Sequence, residues 1–81
     1  MGTDYDEQDL QNVTEIACRI LNTEHLSADE DLYEAGLTSI MALPLLTELE
    51  STFQLTISDA HFLDARTPRD LAQMIRRLRA T

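Results

Sequence analysis

Apolar residues recur at intervals of three and four along the first part of the chain, at Leu10, Val13, Ile16, Ala17, Ile20 and Leu21. This period predicts an amphipathic helix from about Tyr5 to Leu21. Thr3 or Asp4 is placed to cap it, and Asp6, Glu7 and Asp9 suit its positive end. The period fails from Asn22 to Thr38, where turn-forming and acidic residues dominate. A long ordered loop is expected there, with a short helical turn beginning near Ser27 and with Leu26, Leu32, Tyr33 and Leu37 pinning it to the core.

Helical spacing resumes at Ser39 and runs to about Phe53. Ala42, Leu45, Leu46, Leu49 and Phe53 share one stripe, the expected core face; Ile40, Leu43 and Thr47 form a second face that has no core to enter. Exposed apolar residues of this kind suggest a surface for partners. Pro44 removes one backbone hydrogen bond from this helix, which predicts a kink or an opened first turn near Ile40. A short helical piece is expected near Asp59 to Leu63 with Ser58 as cap. Thr67, Pro68 and Asp70 then supply an N-cap, a proline at the first helical position and an acid at the third. Leu71, Ala72, Ile75 and Leu78 mark the buried stripe of a last helix, whose Arg76, Arg77 and Arg79 suit its negative end. No strand pair is signalled, so the pattern predicts an all-α bundle of three main helices and one short one, with a long connection after the first.

The 81 residues have room for one small domain with one core. Charge is unevenly spread. Residues 1–65 hold fourteen acids and one base, Arg19, a balance of −13; residues 66–81 hold five arginines and Asp70, a balance of +4; together they give the net −9. Such a charge argues against nucleic acid and anionic membranes as partners and favours proteins with basic surfaces. The longest apolar run, Ile40 to Leu46, falls far short of the roughly 20 residues a membrane span needs, and no leader is visible, which places the chain in the cytoplasm. Cys18 is the one cysteine, so no internal disulfide forms, and its spacing puts it beside the core.

Ser39 stands where the acidic loop turns into a helix. A phosphate on its hydroxyl would meet unpaired N–H groups and the positive end of the helix dipole, which makes Ser39 a candidate anchor for a phosphate-linked group. Other chemistry fails for want of partners. A serine nucleophile needs a base, and the glycines of a nucleophile elbow are replaced by Leu37 and Met41. His25 and His61 carry no spacing that brings them to Ser39, and both read as solvent-facing or satisfied. One Cys and two distant His give no zinc site. Asp29 and Asp31 begin a calcium loop whose sixth and twelfth positions are then Glu34 and Ile40, so Asp29, Glu30 and Asp31 read as a solvated or docking surface.

Asp31, Leu32, an acidic turn, Gly36, Leu37, Thr38, Ser39, Ile40, Met41 and Ala42, followed by Leu46, Leu49, Glu50 and Phe53, closely resemble the attachment region of acyl and peptidyl carrier proteins. The long first loop, the short third helix and the Thr67, Pro68 start of the last helix extend the likeness over nearly the whole chain. The resemblance implies a single four-helix carrier domain over residues 1–81, free-standing and monomeric. It also implies that Ser39 receives 4′-phosphopantetheine from coenzyme A through a phosphopantetheinyl transferase. The arm would hold an acyl, aminoacyl or peptidyl group as a thioester, and the chain itself would catalyse nothing. Implied partners are an adenylating or acyl-transferring synthetase or ligase and condensing or tailoring enzymes of polyketide, nonribosomal-peptide or related pathways. These would dock on helix two through Thr38, Ile40, Met41, Leu43, Thr47 and Glu48. The sequence departs from the family pattern at Thr38, where an Asp usually precedes the serine. That departure is the feature that favours the alternative, an unmodified carrier-fold adaptor or regulatory module.

Overall fold

The computed structural model describes residues 5–80. Four helices follow one another: α1 Glu7–Leu21, α2 Ser39–Phe53, α3 Asp59–Asp64 and α4 Pro68–Ala80. No strand occurs among the described residues. The expected caps Thr3 and Asp4 lie outside them. Asp6 fills that role, accepting the N–H groups of Gln8 at 2.8 Å and Asp9 at 3.4 Å, so α1 starts two residues later than its apolar period suggests. α1 ends on Asn22 in the left-handed conformation (φ 57°), with Asn22 N–H on the Arg19 carbonyl and Thr23 N–H on that of Cys18.

α2 begins where expected and is uninterrupted at Pro44. Its first turn is not opened. The Thr38 carbonyl accepts the N–H groups of both Met41 and Ala42 at 3.0 Å, and the Thr38 hydroxyl oxygen accepts from Met41 as well. The carbonyl that Pro44 cannot serve belongs to Ile40, a residue 86% exposed, where water can reach it. In α4, Thr67 Oγ1 accepts the Asp70 N–H at 3.0 Å, while Asp70 Oδ2 reaches back to the N–H of Arg66, one residue beyond the usual capping box.

α1 packs against both α2 and α4. Val13, Leu45, Leu49, Leu71 and Ile75 are fully buried between them, as is Leu32 from the loop. Burying one such leucine contributes roughly 1.5–3 kcal/mol. Met74, absent from the predicted stripe, is buried too, and Cys18 is half-buried beside the core as expected. Burial, with Glu30 adding, pushes the Cys18 thiol above its ordinary pKa.

The loop is ordered by its own turns. Near Ser27 there is one reciprocal turn, Glu30 N–H to the Ser27 carbonyl and Ser27 N–H to Glu30 Oε1, rather than the start of a helical turn. The helical turn begins at Asp31, whose Oδ1 accepts from Tyr33 N–H at 2.8 Å and Glu34 N–H at 3.2 Å, and whose carbonyl accepts from Ala35. It closes at Gly36 and Leu37: Gly36 N–H bonds the Tyr33 carbonyl and Leu37 N–H the Leu32 carbonyl. That pairing is a Schellman motif, with its apolar contact made by buried Leu32 and Leu37.

Two of the acids expected to form a solvated or docking surface on this loop also make ion pairs. Asp31 meets Arg66 at 2.9 Å and Asp29 meets Arg69 at 3.1 Å, while at the far end Asp9 meets Arg79 at 2.8 Å. Three arginines of the basic C-terminal segment thus pair with three of the acids, while Glu30 accepts from the Ser27 N–H. The Arg66 hydrogen bond above all holds the Asp31 carboxyl below its usual range; partial burial opposes this, and the N–H groups of Glu34 and Tyr33 add to it.

Two outcomes follow from the loop. Gly36 sits at φ 123°, and a Cβ there would meet nothing within 4 Å, so Gly36→Ala is opposed by backbone strain alone. It should destabilise the fold by about 1–2 kcal/mol in denaturant unfolding, and an unchanged midpoint would contradict the turn geometry. Because the folded Asp31 pKa is lowered, its contribution is fully present above the ordinary carboxylate value of about 3.9 and is lost as pH falls through the folded value. Asp31→Asn, which keeps a capping oxygen, should therefore destabilise the protein at pH 7 and lose that penalty at pH values below the carboxylate range. A penalty that is the same at both pH values would show that charge plays no part.

Candidate functional site

The chain reaches Ser39 through three nested local structures. Asp31 starts the turn, Gly36 stops it, and Thr38 caps α2 in an extended conformation (φ −118°, ψ 170°). Ser39 is therefore the first residue of α2, exposed, and no hydrogen bond of its hydroxyl occurs among the described residues. The first N–H groups of a helix lack intrahelical acceptors. Thr38 Oγ1 takes one of them, that of Met41, at 3.4 Å.

The charge around this helix start differs from that of the other helices. α1, α3 and α4 each carry an acid in the first turn, Glu7 and Asp9, Asp59, and Asp70; α2 carries none. Its positive end is uncompensated by any carboxylate of its own, which is the electrostatic condition an anion on Ser39 would meet. Thr38 fills the cap position without adding charge, so the departure from the family pattern leaves the helix intact and changes only its local electrostatics.

Beside Ser39, α2 and α3 enclose a shallow apolar hollow of about 230 Å³ bordered by Ala42, Leu43, Leu46, Phe62 and Leu63, with Asp59 at its edge. It holds no histidine. His25 and His61 are both exposed, and His61 borders a separate depression with Asp64, Gln73 and Arg77. Among the described residues no group of three His, Cys, Asp or Glu is placed to hold a metal ion, and no helix is long and apolar enough to cross a membrane.

Of the residues expected to form a partner surface, Ile40 and Leu43 are 86% and 67% exposed, and Thr38 and Thr47 are exposed beside them. Met41 and Glu48 differ. Met41 is half-buried against the core, and Glu48 faces Arg19 at 3.7 Å. Leu63, 61% exposed on α3, joins the apolar surface instead. Phe62 and Leu63 are adjacent and lie about 100° apart around a helix of six residues; the core takes Phe62 and leaves Leu63 outside, a choice that spacing alone does not make.

Comparisons with known proteins bear on the class of the chain as a whole. Residues 11–75 match the family model described as the phosphopantetheine attachment site. Clavatol synthase claF of Penicillium crustosum is 32% identical over 69 residues, covering 83% of this chain; the chain spans only 3% of that protein's length. The fold matches the A1-type ACP domain from module 5 of MLSA1 with a TM-score of 0.79 at 24% identity, over 89% of this chain and 75% of that one. It also matches BlmI, a type-II acyl carrier protein of Streptomyces verticillus involved in bleomycin biosynthesis, with a TM-score of 0.76 at 22% identity, over 91% of this chain and 86% of that one. The helices, their order and the family match over most of the length lead to one conclusion: this chain belongs to the phosphopantetheine-attachment family, carrier domains that catalyse nothing themselves, work with biosynthetic enzymes and bear 4′-phosphopantetheine as a covalent cofactor.

Proposed function

We propose that residues 1–81 act as one carrier unit, modified at Ser39, that holds an acyl, aminoacyl or peptidyl group and presents it to the enzymes of a polyketide, nonribosomal-peptide or related pathway. The observation that carries this reading is the Ser39 hydroxyl itself, exposed and unbonded at the first position of the one helix without a first-turn acid. In attachment the Ser39 oxygen displaces 3′,5′-ADP from coenzyme A, forms a phosphodiester and gives up its proton, with a phosphopantetheinyl transferase supplying the catalysis. When bound, the group supplies a terminal thiol that holds the cargo as a thioester. The chain's own residues then orient and present. The start of α2 would stabilise the phosphodiester anion by about 0.3–1 kcal/mol, and the hollow edged by Leu43, Phe62 and Leu63 would offer the arm an apolar wall.

Docking falls to Thr38, Ile40, Leu43 and Thr47, with Leu63 beside them. Three exposed large apolar side chains around one attachment point suit contacts that form and break quickly, because their total area is small. Steering comes from the net charge of −9, which draws synthetases, ligases, condensing and tailoring enzymes with basic surfaces.

Incubation with coenzyme A and a broad-specificity phosphopantetheinyl transferase should add the mass of one phosphopantetheinyl group to the wild type and none to Ser39→Ala. Thr38→Asp should be modified faster, since it places a carboxylate where the transferase ordinarily meets one. No gain with any transferase, one from the native host included, would favour an unmodified adaptor and defeat the carrier reading.

A further inference from the structure

Arg66 lies outside the loop and outside the hollow that Ser39 borders, yet it touches three consecutive residues of the turn that leads to Ser39. Its Nε and Nη2 donate to Asp31 Oδ2 and Oδ1 at 2.9 and 3.4 Å. Its carbonyl accepts the N–H of Leu32 at 2.7 Å. Its guanidinium stands 4.7 Å from the centroid of the Tyr33 ring. Its own N–H is held by Asp70 Oδ2 at 3.0 Å, so the residue is fixed to the first turn of α4. The Asp31 carboxylate that Arg66 grips is the same group that caps the turn through Tyr33 and Glu34, and the turn ends two residues before Ser39 at Leu37. A fork-shaped, always-charged side chain is suited to fix direction as well as distance, which a lysine would not do.

We infer that Arg66 is a positioning residue for modification of Ser39, locking the Asp31–Leu37 turn to the base of α4 so that the start of α2 is held in one orientation. This rests on the carrier reading. Releasing the side-chain clamp leaves the turn held by the packing of Leu32 and Leu37, its own hydrogen bonds and the main-chain bond from Leu32 to Arg66, without the guanidinium that fixes Asp31 and Tyr33 in direction, and the start of α2 then populates orientations a transferase cannot engage. Apparent affinity falls by the fraction of molecules in the competent orientation, so the KM for the carrier rises while kcat stays the same.

The test is steady-state loading by the transferase at saturating coenzyme A, at a temperature where all variants are fully folded by circular dichroism. Arg66→Gln should raise the carrier's KM about threefold to tenfold with kcat unchanged, the range expected for loss of a bidentate contact together with a cation–π contact. Arg66→Lys should recover part of the loss. Arg79→Gln is the control, because it breaks the 2.8 Å pair with Asp9 between α1 and α4 and touches no loop residue; its KM should match the wild type. Amide spectra supply a readout independent of loading: Arg66→Gln should shift or broaden the Ser39 and Ile40 resonances, and Arg79→Gln should not. A wild-type KM and unmoved Ser39 resonances in folded Arg66→Gln, or an equal KM rise in Arg79→Gln, would overturn the inference. A wild type that no transferase loads would instead overturn the carrier reading and the inference with it, while the amide shifts would still report on the clamp.

Discussion

The Leu32 N–H donates to the Arg66 carbonyl at 2.7 Å, and the placement of Ser39 depends on that bond and the contacts gathered around it. Residues 22–38 have no helix and no strand, and fixing each backbone residue costs about 1–2 kcal/mol of conformational entropy. The opposing terms are local and few. Leu26, Leu32 and Leu37 are buried, the Arg69 N–H reaches the Ala28 carbonyl at 2.9 Å, and Asp29 and Asp31 pair with Arg69 and Arg66. All of these lead to the core or to the first turn of α4. The loop is therefore a built layer of the domain, and its last residues deliver α2 with its first residue facing solvent.

The same contacts explain why charge is segregated along the chain. Among the described residues Arg66, Arg69 and Arg79 each face an acid from the first part of the sequence, which ties the ends of α4 to the loop and to α1. With those acids engaged and α2 free of first-turn carboxylates, the one helix start that lacks internal compensation is the one beside Ser39. A fold can thus carry a large negative charge overall and still offer a local positive end to an anion, because a helix dipole acts only within its first turn.

Much of this was legible from residue pattern. The bounds of α2, the Ser58 and Thr67 caps, the buried loop leucines and the exposed Ile40 and Leu43 follow from helical spacing and from cap chemistry, both of which are local. What the pattern could not show is long-range. Asp29, Glu30 and Asp31 read as a solvated or docking surface, and the spacing says nothing of the partners they also have, which are far away in the sequence or, for Glu30, in its own turn. Met41 and Glu48 sit at spacings compatible with the outer face; that Met41 is also half-buried against the core, and that Glu48 lies 3.7 Å from Arg19, are tertiary facts. Pro44 is legible as a hydrogen bond lost at Ile40; that the first turn stays closed follows from the bonds Thr38 makes to Met41 and Ala42.

The most direct measurement is the location of the cofactor on protein taken from its producing cells. Cleavage after Arg19 and Arg66 releases residues 20–66 as one peptide, and fragmentation of that peptide assigns any added group to a single side chain. The expected result is phosphopantetheine on Ser39 and on no other hydroxyl. Its presence on another residue such as Thr38 or Ser58, or a peptide that is unmodified throughout, would contradict the assignment of Ser39 as the point from which this carrier works.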